Sequence, residues 1–188
     1  MDRGQMEGWI RSALLPKLNL RENFDAHLFT ERLAMLKGKP IKLSPYSFPP
    51  GSGKTGMLLY NLDKEQYEIF YEKNTTWTHQ QAIIFHEDGH ILFGHQMLGV
   101  TQEELDIVVK YLNAAHFETI FRESACSKTE EKEAELFASL MIPLSFGSSP
   151  KRTSQIEGKD YSNLHFEEEV VIKILNLGKG PGPERKEL

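Results

Sequence analysis

The densest chemistry in the chain is carried by five consecutive residues, His86-Glu87-Asp88-Gly89-His90. They sit inside an apolar run from Ala82 to His95, AIIFHEDGHILFGH, that would otherwise pass for core. Burying imidazoles and carboxylates without partners is expensive, so something must hold these polar groups. On a helix, His86 and His90 stack on one face, one turn apart. Ala82, Ile83, Phe93 and Met97 fall on the same stripe and give the pair an apolar setting. Two imidazole nitrogens placed this way can take one zinc ion, while Glu87 is rotated off their line. This is the HExxH arrangement. Zinc lowers the pKa of a bound water from about 15.7 to about 7, and the glutamate takes the remaining proton as a carbonyl is attacked. The spacing therefore makes His86 and His90 metal ligands, Glu87 the general base and Zn2+ the cofactor.

A catalytic zinc site needs a third protein ligand and one open position. The metzincin pattern would put glycine at position 93 and histidine at 96, where this chain has Phe93 and Gln96. His95 is off by one, and its expected place is the end of the helix. Glutamates on a second helix remain, and KTEEKEAELFASLMIP offers Glu130, Glu131, Glu133 and Glu135. Glu133 shares a stripe with Leu136, Phe137 and Leu140 at i+3, i+4 and i+7, so it is expected to face inward as the third ligand. Glu131 and Glu135 fall on the opposite face, expected to be solvated. Glu130 lies at the edge of the inner stripe and is the reserve. Tyr71, His79, His95 and His116 are unranked candidates for stabilising an oxyanion.

A second motif is a decoy. GSGKT, Gly51 to Thr55, resembles the end of a phosphate-binding loop. The full motif needs a glycine where the chain has Phe48, a buried strand before it and a long helix after it. SPYSFPP is no such strand and MLLYNLD no such helix, so a flexible loop is expected and no nucleotide.

Several elements must position the HEDGH segment. NFDAHLFTERLAMLKGKP predicts a helix starting near Asn23 or Asp25, with Phe29, Leu33 and Leu36 on one face and Gly38 and Pro40 ending it. IKLSPYSFPPGSGKTG reads as loop, from its prolines and glycines. MLLYNLDKEQYEIFY reads as a β-hairpin turning around Asn61 to Lys64. Thr78 and Gln81 suggest a capping box, with the HEDGH helix running from His79 to about His95. Thr101 and Glu104 repeat that signal ahead of LDIVVKYLNAAHFETIF. A further helix is expected over about 129–141, ended by Pro143. SSPKRTSQIEGKDYSN reads as polar loop and HFEEEVVIKILNL as one apolar element of either type.

The pair HQQAIIFHEDGHILFGH and EKEAELFASLMIP resembles the ImmA/IrrE family of zinc metallopeptidases, a gluzincin-like group. The preceding ERLAMLKGKPIKLSPYSFPPGSGKTGMLLY is similar to a subgroup common in actinobacteria and mobile elements. The similarity spans about Glu31 to Pro143. It implies an α+β, zincin-like domain with a helical N-terminus and a small twisted sheet, with its hairpin, packed beside the HExxH helix. Residue by residue it implies His86, His90 and Glu133 as zinc ligands and Glu87 as base. It also implies, as substrate, a helix-turn-helix repressor of the XRE type. Three features depart from the family pattern: Asp88 where an apolar residue is usual, the length of the segment between His90 and Glu133, and the end of the second motif.

Composition sets the outer limits. The 188 residues suit one domain, expected over 1–177 with a helical part over about 1–40, followed by a solvated tail at 178–188. A net charge of −5 argues against direct nucleic-acid binding and against an acidic membrane surface. The first twenty residues lack the apolar stretch of a secretory signal, and no run reaches the roughly 18 apolar residues of a membrane span. A single cysteine, Cys126, fits a reducing cytoplasm. Two functions follow from different classes: a zinc endopeptidase acting on a protein partner, or a non-proteolytic, zinc-containing module that binds a partner encoded nearby. An intact Glu87 favours the first.

Overall fold

Helix α1 (Arg3–Trp9) opens under a capping box in which Asp2 accepts from the Gln5 amide at 2.9 Å and the Gln5 side chain returns the bond at 3.1 Å. It runs on through a π-helical stretch (Ile10–Leu14) into a closing turn, α2 (Leu15–Lys17). Met6, Ile10, Leu14 and Leu18 are all buried, at four-residue spacing, so the whole N-terminal rod offers one apolar stripe to the core. The computed structural model describes residues 1–21, 23–50, 52–111 and 126–146. The expected polar loop and apolar element after 147, the tail at 178–188 and His116 lie outside the described residues.

Helix α3 (Ala26–Lys37) forms where its sequence pattern predicts. Asp25 caps it by accepting from the Leu28 amide at 2.8 Å, and Gly38 ends it in the left-handed conformation, φ 66°. Phe29 and Leu33 are fully buried on its inner face.

The four-stranded sheet has the order β1-β3-β2-β4. Strands β2 (Gly56–Asn61) and β3 (Gln66–Glu72) form the expected antiparallel hairpin. Strand β1 (Ile41–Tyr46) pairs parallel with β3, and β4 (Leu98–Val100) pairs parallel with β2. The β1 segment had read as loop because of Pro45. Its edge position resolves this, since a proline at an edge need not interrupt a ladder.

Two apolar clusters lie on the two faces of the sheet. Ile69 and Tyr71 face the larger one, built on α1, α3, α4 (Trp77–Phe93) and α6 (Lys128–Phe146). Met57, Leu59 and Phe70 face the smaller one with Leu105 and Val108 of α5 (Gln102–Tyr111). The described residues are thus a mixed α and β structure, and none of their helices is long and apolar enough to cross a membrane.

Helix boundaries differ from expectation at the start of α4 and the end of α6. Thr76, not Thr78, caps α4, accepting from the His79 amide at 3.3 Å. Gln81 is buried instead and accepts from the Ala26 amide at 2.6 Å, tying α4 to the start of α3. Pro143 does not end α6; it lies inside the last turns with its ring exposed. The Thr101–Glu104 box forms as expected, with reciprocal bonds of 2.8 and 3.2 Å at the start of α5.

Candidate metal centre

The centre of the site is the line along which α4 and α6 touch. Gly89 lets the helices approach closely: a Cβ there would lie 3.3 Å from the Ala134 Cα and 3.2 Å from the Phe137 ring. One turn on, Phe93 meets Phe137 with ring centroids 5.7 Å apart. One turn back, His86 faces Glu131. Gly89 and Ala134 thus mark the point of closest approach, with His86 and Glu131 each one turn before it.

His86 and His90 stand as expected, with Nε2 atoms 3.0 Å apart. Glu131 closes the group: its Oε2 is 3.5 Å from His86 Nε2 and its Oε1 is 3.9 Å from His90 Nε2. One ligand atom from each of these three residues lies within 4.8 Å of the others. In a tetrahedral zinc site with bonds near 2.0–2.1 Å, neighbouring ligand atoms are about 3.3 Å apart. Two imidazoles and a carboxylate at these separations fit such an ion after small side-chain adjustments.

Glu133 is not in this group. Its Oε2 lies 3.2 Å from His95 Nε2, whereas Glu131, expected on the solvated face and still partly exposed, is the glutamate that meets both histidines. The inner stripe of α6 runs through Ala134, Phe137, Ala138 and Met141, which are fully buried, and Glu131 is one turn before Ala134 on it. Small residues were the missed signal. Gly89 and Ala134 mark where the helices meet, and stepping back three residues on each pairs His86 with Glu131. Glu130, the reserve, is a capping residue: it accepts from Ser127 N at 2.7 Å and from Gln96 N at 3.2 Å.

Charge in the group follows from its contacts. The hydrogen bond with His86 holds the Glu131 carboxyl well below its usual range, against the effect of burial. Burial opposes charge on His86, yet Glu131 and Glu87 together raise its pKa. Burial and the His86 charge lower that of His90, so His90 is the neutral member of the pair. Burial pushes Glu87 up to about 7, against the pull of His86 and the weaker one of Lys54. A carboxyl in that range is suited to exchanging protons near neutrality.

The surrounding residues find other places. Asp88 is fully buried on the far side of α4, with Oδ2 2.7 Å from Thr30 Oγ1. The Thr30 hydroxyl also lies 2.7 Å from the Ala26 carbonyl, to which it donates. The hydroxyl is shared between the two acceptors, and burial pushes the Asp88 carboxyl well above its ordinary range against the effect of the Thr30 hydrogen bond. His95 lies just past the α4 cap at Gly94, where φ is 71°. His79 shares a 2.8 Å hydrogen bond with Thr75, and Tyr71 packs edge-on to His27. Residues 52–55 of GSGKT lead directly into strand β2, where a phosphate-binding loop would open a helix.

No family model, curated protein or solved structure matches this chain.

Proposed function

We propose that this protein is a zinc-dependent endopeptidase of the zincin-like, ImmA/IrrE type. Its proposed substrate is a cytoplasmic protein partner, a helix-turn-helix repressor of the XRE type. The observation that carries the reading is the convergence of His86, His90 and Glu131 beside the Glu87 carboxyl. A buried general base next to a set of metal ligands has no use in a purely structural site.

His86, His90 and Glu131 would hold the ion. Bound zinc would supply a Lewis acid for the scissile carbonyl and a low-pKa water. Glu87 takes the proton of the attacking water on its carboxylate and returns it to the leaving amine. The buried apolar residues of α4 and α6, Ile83 and Phe137 among them, lower the local dielectric on the inner side of the site and strengthen its charge interactions. The close approach of β2 at Gly56 fixes where the Glu87 carboxylate can lie.

Co-expression with an XRE-type repressor and its reporter tests the reading. Wild type should give repressor fragments and release the reporter; Glu87→Gln should give neither. Equal release by both versions with the repressor intact would replace proteolysis with a non-proteolytic binding role.

A further inference from the structure

We infer that Glu133 and His95 form an outer relay that orients His90 toward the metal, so that both are positioning residues rather than ligands. The inference rests on the metal reading of His86, His90 and Glu131. The geometry is a chain of three contacts. Glu133 Oε2 is 3.2 Å from His95 Nε2, His95 Nδ1 is 3.0 Å from His90 Nδ1, and His90 Nε2 is 3.0 Å from His86 Nε2.

Hydrogen-bond direction follows from the carboxylate end. A carboxylate oxygen can only accept, so His95 donates through Nε2. When His95 carries a single ring proton, that proton is on Nε2, so its Nδ1 accepts from His90 Nδ1–H. That leaves the lone pair of His90 on Nε2, the edge of the ring that faces His86 and Glu131. A ligating histidine whose other ring nitrogen donates to a fixed acceptor is the usual arrangement in metal sites, where the partner fixes the tautomer and ring orientation.

The competing partner of His90 Nδ1 is Cys126, whose Sγ is 3.5 Å away. Its thiol donates instead to the Gln96 carbonyl at 3.1 Å, so the shorter contact to His95 takes the His90 proton. His95 cannot join His90 on the same ion, because it meets the opposite edge of the ring. The relay is also held as a unit. His95 and His90 are buried, their rings cross at 73° with centroids 5.0 Å apart, and Phe93 backs His95 at 5.6 Å.

The test is Zn2+ affinity, measured by competition with a chromophoric chelator, alongside NMR of the His90 ring N–H in the zinc-loaded protein. Wild type, Glu131→Ala, Glu133→Ala, Glu133→Gln and His95→Phe are compared. Glu133→Ala and His95→Phe should still bind one zinc but about 10–100-fold more weakly, the usual range for lost outer partners. Glu133→Gln should fall between them and wild type, because its amide oxygen can still accept from His95. The His90 Nδ1 proton should be exchange-protected in wild type and lose that protection in His95→Phe. Unchanged affinity in both Glu133→Ala and His95→Phe overturns the relay, as does weaker binding with the His90 proton unmoved. Loss of zinc in Glu133→Ala with retention in Glu131→Ala makes Glu133 the ligand and overturns it too. Should Glu133→Ala or His95→Phe not fold, Glu133→Gln carries the same two readouts. Absence of zinc binding in wild type would overturn the metal reading itself, whereas loss in Glu131→Ala alone, with the other variants unchanged, overturns only the relay.

Discussion

Gly56 of β2 lies flat against Glu87 of α4: a Cβ on Gly56 would stand 2.5 Å from Glu87 Oε1 and 2.7 Å from Ile83 Cγ2. Neither separation is possible between real atoms, so an alanine there must displace the carboxylate, the strand or both. Gly56→Ala is expected to cost about 1–3 kcal/mol, the usual penalty of overpacking. Proteolysis should fall further than this loss accounts for, since Glu87 can no longer sit beside His86. Urea unfolding, zinc content and cleavage of the co-expressed repressor measure the three effects separately.

Removing the Glu131 charge should be the most damaging change to metal binding. Glu131→Gln keeps the shape of the side chain and takes away the carboxylate that faces both histidines at 3.5 and 3.9 Å. The fall in zinc affinity should exceed the roughly 10–100-fold typical of an outer partner. Thermal melts with added Zn2+ provide a second readout. Zinc at 100 times its Kd stabilises the native state by about 2.7 kcal/mol, a chelator should reverse this, and Glu131→Gln should respond to neither.

Glu87→Gln should behave in the opposite way. The ligand set is untouched, so zinc content and the metal-dependent rise in melting temperature should match wild type. Cleavage should drop by roughly 10²–10⁴, the contribution of a positioned general base. A variant that loses zinc as well would show that Glu87 supports the ligands rather than the chemistry.

Asp88 should make the protein less stable as pH rises. Its folded pKa lies well above the ordinary value because it is buried, so between the two values the unfolded chain has released a proton that the folded chain retains. Stability contributed by the neutral acid is full below the unfolded pKa, near 3.9, and is lost as pH climbs toward the folded one. Asp88→Asn removes this dependence, and its amide oxygen can still accept from the Thr30 hydroxyl. Urea unfolding should therefore show the variant gaining on wild type from pH 4 to pH 8. A constant difference across that range would show that Asp88 is not held neutral.

Much of the fold was legible where a short stretch of chain decides its own structure. Helix α3 carries its start and stop in Asp25 and Gly38, and the β2–β3 hairpin turns where two β-rich runs meet polar residues. The Thr101–Glu104 box satisfies helix-end amides with side chains three residues away. Strand β1 was not legible, because Pro45 argues against a strand until a neighbour is known. Gln81 was misread for a similar reason: its partner is the Ala26 amide, 55 residues earlier.

The sequence by itself determined that His86 and His90 share a helix face with Glu87 next to them. Spacing within one helix follows from 3.6 residues per turn and needs no neighbour. Only the tertiary structure decided which glutamate meets that face. The apolar periodicity of α6 allowed more than one inward stripe, and the stripe through Glu133 was as regular as the one through Glu131. What separates them is the depth at which α4 and α6 pack, set by Gly89 against Ala134. Where two helix backbones come nearest, only small residues fit, and the long side chains one turn away are brought face to face. Glu131 therefore reaches the histidine pair, and Glu133, two residues on and rotated by about 200°, reaches His95.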